Sequence, residues 1–373
     1  MTPSHTPRNP SADSESAPLS VADPGDALAL VQHSFGHLPQ DSVVILGLLQ
    51  GSTGGHLRVD LEPALQSPVP MGWRCAEWLA GPEAEPVPEA VLVVILDSAP
   101  LIPDTPGRHD LFLAALSEQL QRLAGVRTSQ VWHAGAGRIR DYHCPDADCC
   151  PYPGEDVAEV LARSLQRVPG LAPSKTPSPQ EQVDAFLAGN PLITAGAIAA
   201  AWAREEAPAV SKDKVRTIWE AALDRTQRCG GADWLHSTKG WIPALLRPAE
   251  SLTTAGLIMR LTGAEDPWGD SPQPPPWQRV EALDLLLHQL VPYAQPRQLE
   301  QLMGLKAWTE WIRGCGSSTD AFAAAVQQRF PERWADQQDP TLAALVRSWM
   351  SAVGVCPWAR VKRTSYSWWK SSR

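Results

Sequence analysis

The stretch Val91–Asp97, Val-Leu-Val-Val-Ile-Leu-Asp, decides the fold class of this 373-residue chain. Its six consecutive apolar residues are too few for an ordinary helix and favour a strand that is buried on both faces. Such strands lie in sheets with helices packed on either side. The helical spacing of Leu113, Leu116 and Leu120, with Gly125 as a stop signal, predicts one of those helices. This part of the chain is therefore expected to form an α/β domain.

Two predicted hairpins flank the buried strand. Ser42–Gln50 is almost wholly apolar, and His56–Leu61 alternates apolar with polar residues after a Gly-Ser-Thr-Gly turn, so the two should pair. Thr128–His133 and Arg138–His143 form a second pair, with Ala134–Gly137 as the predicted loop. Hairpins combined with helices predict a mixed sheet, in which some neighbouring strands are parallel and others antiparallel.

Composition divides the chain into five predicted segments. They are a disordered tail (1–20), the α/β domain with its mixed sheet (21–168), a Pro-rich linker (169–180), a mostly α-helical domain (181–356) and a basic aromatic tail (357–373). Thirteen of the 16 Trp residues lie after position 170. Because a Trp side chain buries a large area, most of them are expected to fill gaps between helices.

Charge and apolar patterning indicate a cytoplasmic protein. The formal net charge of −9 argues against a general nucleic-acid coat. The first twenty residues have no apolar core of a secretory signal, and no apolar run approaches the roughly 18 residues that span a bilayer. Seven Cys residues are an odd number, which favours reduced thiols in the cytoplasm over a disulfide framework.

The sequence lacks the common catalytic motifs. It contains no Gly-x4-Gly-Lys-Ser/Thr phosphate loop, no Gly-x-Gly-x-x-Gly after a strand, no His-Glu-x-x-His and no Gly-x-Ser-x-Gly. The usual nucleotide-binding, metalloprotease and esterase classes therefore lack their characteristic parts. Candidate sites must come from other groupings of chemically active residues.

The first grouping is a cysteine cluster. Cys144, Cys149 and Cys150 follow His143, and thiolates with an imidazole are the ligands that tetrahedral zinc prefers. The spacing departs from paired zinc knuckles, and a vicinal Cys pair is expected to place both sulfurs on one ion only with difficulty. With the predicted hairpin loop, His133 would lie about 20 Å from Cys144 and is a poor fourth ligand. A structural turn with buried thiols and a redox or disulfide role are the alternatives.

The second hairpin carries a candidate binding face. The predicted register places Trp132 opposite Ile139 as a core pair. It places Arg138, Arg140 and Tyr142 on the other face, where two guanidinium groups and a phenol could hold an anion or an acidic partner. A face that only contacts solvent is the alternative.

Strand-end carboxylates form a further candidate site. Asp97 ends the buried strand, and Asp60 lies two residues after Arg58 near the end of another. Ligands of α/β sheets gather at the carboxyl ends of strands, so an Asp60–Asp97 pair could bind a metal or act as general acid and base, with Arg58 as a third candidate. Alternatively, these aspartates only form turns, and Arg58 pairs with a neighbour.

The last seventeen residues combine basic and aromatic side chains. They carry five positive charges and no negative one. The candidate partner-binding residues are Arg360, Lys362, Arg363, Trp368 and Trp369. Such a segment suits phosphate contacts with base stacking, or an anionic membrane interface. The alternative is that the tail folds back on the acidic body, with its Trp residues packed on a helix.

Five segments form a distinctive set: Asp26–Val31, Leu38–Val44, Arg58–Leu61, Gly137–Cys144 (GRIRDYHC) and Asp148–Gly154 (DCCPYPG). These segments resemble a family known as the actinobacterial domain of unknown function 4192. Family members typically carry an aromatic residue where Ile139 stands and Ser where Asp141 stands. The resemblance covers about residues 21–155 and leaves out the helical half. It implies a bacterial, cytoplasmic protein and no particular activity or cofactor.

Two functions follow as expectations. The first is a binding or interaction protein, with a ligand site in the α/β domain and a surface for an unidentified protein partner on the helical domain. The second is a metal-assisted hydrolase or a nucleotide-handling enzyme that uses the strand-end carboxylates. Zinc is the one cofactor that the residue types suggest, and nucleic acid is a candidate partner for the tail.

Overall fold

A computed structural model of the chain describes residues 21, 23–50, 52–81, 84–100, 107–146, 148–171, 177–202, 211–237, 240–264 and 273–373. The predicted disordered tail (1–20) and the middle of the predicted linker (172–176) lie outside these residues. The described chain forms a mixed-sheet domain followed by a mostly helical half, which confirms the predicted fold class.

The α/β domain is built on one six-stranded sheet with the strand order β2-β1-β3-β4-β5-β6. Its elements are α1 (Pro24–Phe35), β1 (Ser42–Leu49), β2 (Ser52–Asp60), α2 (Leu61–Gln66), α3 (Pro68–Ala80), β3 (Ala90–Asp97), α4 (Asp110–Ala124), β4 (Arg127–Gly135), β5 (Arg138–Asp141), β6 (Glu155–Asp156) and α5 (Val157–Arg167). Strands β3 and β4 are parallel and are joined through α4, whereas the other neighbouring pairs are antiparallel.

Strand β3 is covered on both faces, as its unbroken apolar sequence predicts. Ile95 packs in a core with Phe112 and Leu116 of α4, and α3 lies on the same side. Val94 packs on the opposite side in a core with Leu28 of α1 and Val160 of α5. All eight residues of the strand are buried. The sheet therefore forms the middle of three layers, and its ends remain the places where polar groups meet.

The predicted register of the second hairpin is wrong. The loop consists of two residues, Ala136 and Gly137, with positive φ angles of 50° and 76°. Two-residue turns of this kind fit the right-handed twist of the strands. The chain therefore forms the two-residue loop and not the four-residue loop expected from sequence. As a result Ala134, and not Trp132, lies opposite Ile139, although all three stay in one core.

The helical half is organised around a buried central helix. Its helices are α6 (Pro179–Ala188), α7 (Ala195–Trp202), α8 (Lys212–Cys229), α9 (Trp234–Ser237), α10 (Trp241–Leu246), α11 (Leu252–Leu261), α12 (Trp277–Leu290), α13 (Pro296–Ile312), α14 (Gly316–Arg329), α15 (Pro331–Ala335), α16 (Leu342–Val353), α17 (Pro357–Arg360) and α18 (Tyr366–Ser371). Helix α13 is buried almost throughout, polar residues included. Trp219, Trp308 and Trp311 are almost completely buried, as expected for residues that fill gaps between helices.

Both ends of the predicted linker are structured. Residues Pro169–Leu171 form a 3-10 turn, and Leu171 packs into the core between the sheet and α1. Helix α6 already begins at Pro179, with Ser178 and Glu181 as a reciprocal cap. In the described ranges, no helix is both long and apolar enough to cross a membrane.

Candidate metal centre

Two histidines and an aspartate meet where the parallel strands end. Asp97 is the last residue of β3, His133 lies two residues before the end of β4, and His109 directly precedes α4. The register pairs Asp97 with Gly135 and Ile95 with His133, so Asp97 and His133 point to the same side of the sheet. The first turn of α4 lies on that side, which brings His109 to the same place.

The ligand atoms of these three side chains converge. His109 Nε2 lies 3.3 Å and His133 Nε2 3.7 Å from Asp97 Oδ2, and one ligand atom from each residue lies within 4.8 Å of the others. Each side chain is only 2–3% exposed. Ligand atoms around a tetrahedral zinc ion lie about 3.3 Å apart, because each metal bond is about 2.0–2.1 Å long. The geometry of this Asp97 cluster therefore fits a single metal ion.

Arg108 and a backbone amide hold the aspartate in its charged form. The Arg108 guanidinium donates to Asp97 Oδ2, and the Ala99 N–H donates to Oδ1 at 2.8 Å. Burial opposes ionisation of Asp97, but Arg108 and the Ala99 amide outweigh it and hold the pKa of this carboxyl below its usual value. The Arg108 side chain is 49% exposed, so it can leave the carboxylate without disturbing the core.

The two histidines are neutral near pH 7. Burial, followed by the charge of His133, lowers the pKa of His109 to about 4. Burial also lowers the pKa of His133, despite the opposing effect of the Asp97 carboxylate. A neutral imidazole offers a lone pair, which is the form that binds a metal ion.

A tyrosine lies beside the cluster, and residues next to it in sequence line a cavity. The Tyr142 ring centroid lies 5.9 Å from that of His109 and 6.2 Å from that of His133. Its hydroxyl donates to Asp110 Oδ1 at 2.8 Å, and burial and Asp110 raise the pKa of the phenol. A cavity of about 580 Å³ has a mixed polar and apolar lining that includes Asp110, Asp141, His143, Leu113 and Val131.

The structure does not bring Asp60 and Asp97 together. Strand β1 separates their strands, and Ser42 lies opposite both Asp60 and Leu96, so Asp60 and Asp97 point to opposite faces of the sheet. Asp60 instead pairs with Arg58 at 2.5 Å, the alternative that the sequence left open. Of the three predicted residues, only Asp97 belongs to the new cluster.

The predicted binding face of the second hairpin is largely engaged within the chain. The Arg140 guanidinium donates to the backbone oxygens of Asp141 at 3.3 Å and Cys144 at 2.7 Å. Tyr142 is bound to Asp110 as described above, whereas Arg138 is exposed. Anion binding by this face stays a prediction that rests mainly on Arg138.

The three cysteine sulfurs do converge. The Sγ atoms of Cys144, Cys149 and Cys150 lie within 4.8 Å of one another, and those of the vicinal pair are 3.9 Å apart. This convergence keeps the zinc alternative open, and whether the vicinal pair can share one ion stays a prediction. His143 is exposed and packs its ring against Tyr142, with the centroids 5.0 Å apart. Burial and hydrogen bonds with the two neighbouring thiols raise the pKa of Cys150 to about 12.

The aromatic residues of the C-terminal tail fold back on the body of the protein. Trp358 is 2% exposed, and its indole N–H donates to the Ile312 oxygen at 2.8 Å. Trp369 stacks on Tyr366, which packs against the helical core, whereas Trp368 is 43% exposed. Of the two predicted partner-binding tryptophans, only Trp368 presents a large exposed surface.

Most basic residues of the tail have partners in the chain. Arg360 donates to the backbone oxygens of Val353 and Val355, each near 3 Å. Arg363 forms an ion pair with Glu85 at 3.1 Å, and the backbone N–H of Lys362 donates to the Glu85 oxygen at 3.0 Å. This arrangement favours the fold-back alternative over an extended arm that binds phosphates.

His109 and His133 were missed as site residues by the sequence analysis. His133 was weighed only against the cysteines, with a register that proved wrong, and His109 was not singled out. The available signal was topological. A strand, helix and strand in succession predict a parallel pair, and polar residues at the carboxyl ends of such a pair are expected to meet.

The fold and the cluster define a mixed α/β protein with a buried Asp-His-His group and a helical half. The chain matches the family described as Domain of unknown function (DUF4192) over residues 24–333 and belongs to that family. The predicted resemblance is thus confirmed, but its predicted end near residue 155 was wrong, since the match runs through most of the helical half. No curated protein and no solved structure matches the chain.

Proposed function

We propose that the protein is a metal-dependent hydrolase whose α/β domain binds one zinc-like ion through Asp97, His109 and His133. The observation that carries this proposal is the convergence of two imidazole nitrogens and one carboxylate oxygen within 4.8 Å in a buried place. It corresponds to the second function expected from sequence, with two histidines in place of the second carboxylate.

The number of ligands supports a catalytic rather than a purely structural ion. Structural zinc sites use four protein ligands, whereas catalytic sites use three and keep one position for water or substrate. Among the described residues, the Asp97 cluster supplies three. Held by these three residues, a zinc ion would supply a bound water with a pKa of about 7 and would polarise a carbonyl or phosphoryl oxygen.

The groups beside the cluster suit a hydrolytic reaction. Arg108 reaches Asp97 from a half-exposed position, so its guanidinium can turn to a substrate oxygen that becomes negative during attack by water. Arg108 donates to Asp97 Oδ2, so an ion held by this carboxylate would compete with the guanidinium, which would then be available for the substrate. A cavity lined in part by Asp110, the residue that follows His109, provides space near the site.

The metal part is tested by elemental analysis of the purified full chain and of a His133→Gln variant. We expect the variant to contain one equivalent of zinc less than the wild-type protein, because one of three ligands is lost. His143→Gln is the matched control, since this exposed histidine lies outside the cluster. Equal metal content in the His133→Gln and wild-type proteins would show that His133 is not a ligand.

The hydrolytic part is tested with p-nitrophenyl acetate and bis(p-nitrophenyl) phosphate as probes. We expect release of p-nitrophenol from at least one of them, and a loss of about a hundredfold or more in His133→Gln. Protein that binds the metal but hydrolyses neither probe would contradict the hydrolase and favour the binding protein that the sequence also predicted, with its ligand site at the same ion.

A further inference from the structure

The loop that follows β5 holds a second group of metal-ligating side chains. We propose that Cys144, Cys149 and Cys150 bind one soft metal ion, Zn(II) or Cu(I), through three thiolates, separately from the Asp97 cluster. His143, the fourth residue that the sequence suggested, is not a ligand in this proposal. The convergence of three sulfur atoms from one short loop carries the inference.

The distances between the sulfurs suit one ion. With metal–sulfur bonds of about 2.3 Å, two sulfurs on the same ion lie about 3.8–4.0 Å apart. Cys149 Sγ and Cys150 Sγ are 3.9 Å apart, and Cys144 Sγ lies within 4.8 Å of both. A rotation of the Cys144 side chain that brings its sulfur closer by less than 1 Å completes the set.

Hydrogen bonds between side chains and the backbone hold the first cysteine, Cys144, in position. Asp141 Oδ1 accepts the N–H groups of His143 at 2.8 Å and of Cys144 at 3.0 Å. The Arg140 guanidinium donates to the Cys144 oxygen at 2.7 Å. The start of the loop is therefore fixed to β5, and the Cys144 sulfur is presented from a defined backbone position.

A second set of hydrogen bonds positions the vicinal pair. Asp146 Oδ1 accepts the N–H groups of Asp148 at 2.9 Å and of Cys149 at 3.4 Å. The Cys150 N–H donates to the Asp146 backbone oxygen at 2.8 Å, which closes a turn. Because the protein backbone already holds the three cysteines together, little ordering is needed when an ion binds.

The donor chemistry selects a soft ion. Thiolates favour Zn(II) and Cu(I) over hard cations such as Mg²⁺ and Ca²⁺, which take oxygen ligands. Cys149 is exposed and the other two thiols are half-buried, so an ion can enter from solvent. Among the described residues the cluster supplies three ligands, so a bound Cu(I) would be three-coordinate and a bound Zn(II) would also bind water.

The two clusters share no ligand. The Tyr142 ring contacts His109 and His133, and it also contacts His143, the residue that precedes Cys144. Loss of a cysteine should therefore leave the ion at Asp97 in place, and loss of His133 should leave the cysteine ion in place. The two proposals can be tested in the same preparations.

The test titrates reduced full-length protein with Zn(II) against a chromophoric chelator and, under argon, with Cu(I) against a Cu(I)-specific chelator. We expect Cys149→Ser to lose one equivalent of Zn(II) or of Cu(I). Cys229→Ser, an exposed cysteine of the helical half, and His143→Gln should keep wild-type stoichiometry. Cys150→Ser, with circular dichroism to confirm folding, serves as a second variant.

Three results would overturn the proposal. One is equal stoichiometry for both ions in Cys149→Ser, Cys150→Ser and wild-type protein. Another is loss of the ion in His143→Gln, since that would make the ligand set three cysteines and a histidine. The third is that the cysteine variants bind as many equivalents of metal as the wild-type protein and only His133→Gln binds fewer. In that case the Asp97 cluster would be the metal centre that the titration detects.

Discussion

The charge of Asp97 is the residue-level feature on which the candidate centre depends. Its carboxylate is buried next to two neutral imidazoles, and an unpaired buried charge is costly. Arg108 supplies the compensating positive charge from the protein surface. A metal ion would supply the same compensation from within the cluster. The proposed ion would therefore compete with Arg108 for the Asp97 carboxylate, and this competition can be measured.

Replacing Arg108→Met separates these two roles. The metal-free variant should lose about 1–2 kcal/mol of unfolding free energy, because a hydrogen bond to a buried carboxylate is removed. Its affinity for Zn(II) should rise about tenfold, because a competing positive charge next to the site is gone. Urea denaturation and chelator competition measure the two effects. Arg122→Met is the control, and weaker zinc binding in Arg108→Met would contradict competition at Asp97.

Gly135 sets the position of His133 without being a ligand. It lies next to Asp97 in the register, and a Cβ atom there would lie 2.5 Å from His133 Cε1 and would also clash with the Ala99 oxygen. Gly135→Ala should therefore displace the imidazole, weaken zinc binding by about tenfold or more and cost about 1–3 kcal/mol of stability. Gly231→Ala, where a Cβ would contact nothing within 4 Å, should change neither quantity.

At the scale of elements, a buried ionic network joins α12 to α13. Lys306 Nζ lies 2.6 Å from Asp284 and 2.7 Å from Glu310, and Arg313 contacts the same two carboxylates at 3.1 and 3.2 Å. Burial opposes ionisation of Asp284, but Lys306 and Arg313 outweigh it, with a smaller contribution from His288, and lower the pKa of Asp284. The network explains why α13 can be buried almost throughout and still carry charges.

The stability contributed by Asp284 should depend on pH. Its pKa is lower in the folded than in the unfolded chain, so its contribution is complete above about pH 4 and is lost as the pH falls toward the folded value. Asp284→Asn should cost about 3–5 kcal/mol of unfolding free energy at pH 7, and the difference from wild type should shrink by pH 3. Urea unfolding at a series of pH values measures this.

The matched control for that prediction is Asp224→Asn. Asp224 pairs with Arg279 but is 43% exposed, so its removal should cost less than about 1 kcal/mol. A constant difference between Asp284→Asn and wild type from pH 7 to pH 3 would show that the network does not depend on the charge of Asp284.

On the scale of the whole molecule, residues 334–373, which follow the family match, connect the helical half to the α/β domain. The match ends at residue 333, yet later residues supply contacts to the α/β domain. Gly354 packs directly on Trp78, Arg74 donates to the Ser351 oxygen at 3.2 Å, and Glu85 contacts the chain near Arg363. The sequence left open whether the basic tail (357–373) folds back on the body, and the structure shows that residues 334–373 pack on it as a strap.

This strap should contribute strongly to global stability. Trp358→Ala removes a buried ring and its hydrogen bond to the Ile312 oxygen, so it should cost about 3–5 kcal/mol of unfolding free energy. Trp368→Ala, in the same segment but 43% exposed, should cost less than about 1 kcal/mol. Chemical denaturation of both variants makes the comparison. Similar small losses in the two would mean that the segment is only loosely attached.

Local patterns predicted the elements well because strand and helix signals are contained in short stretches of sequence. The apolar stretch at β3 predicted a strand covered on both faces, and the alternation after Gly51 predicted the partner of β1. The hairpin after β4 failed by two residues in register, since a two-residue turn and a four-residue loop are both compatible with Ala134–Gly137. His133 was missed for another reason, since it was weighed only as a ligand beside the cysteines, whereas the structure groups it with Asp97 and His109.

The sequence by itself determined the mixed α/β domain, the helical half, the membership of the family and the identity of Asp97 and the cysteines as candidates. The tertiary structure alone decided which of these side chains meet. Asp97 joins His109 and His133 instead of Asp60, because strand parity sends the two aspartates to opposite faces and α4 returns His109 to the end of β3. Periodicity is encoded locally, whereas the meeting of distant ligands depends on register and crossover geometry.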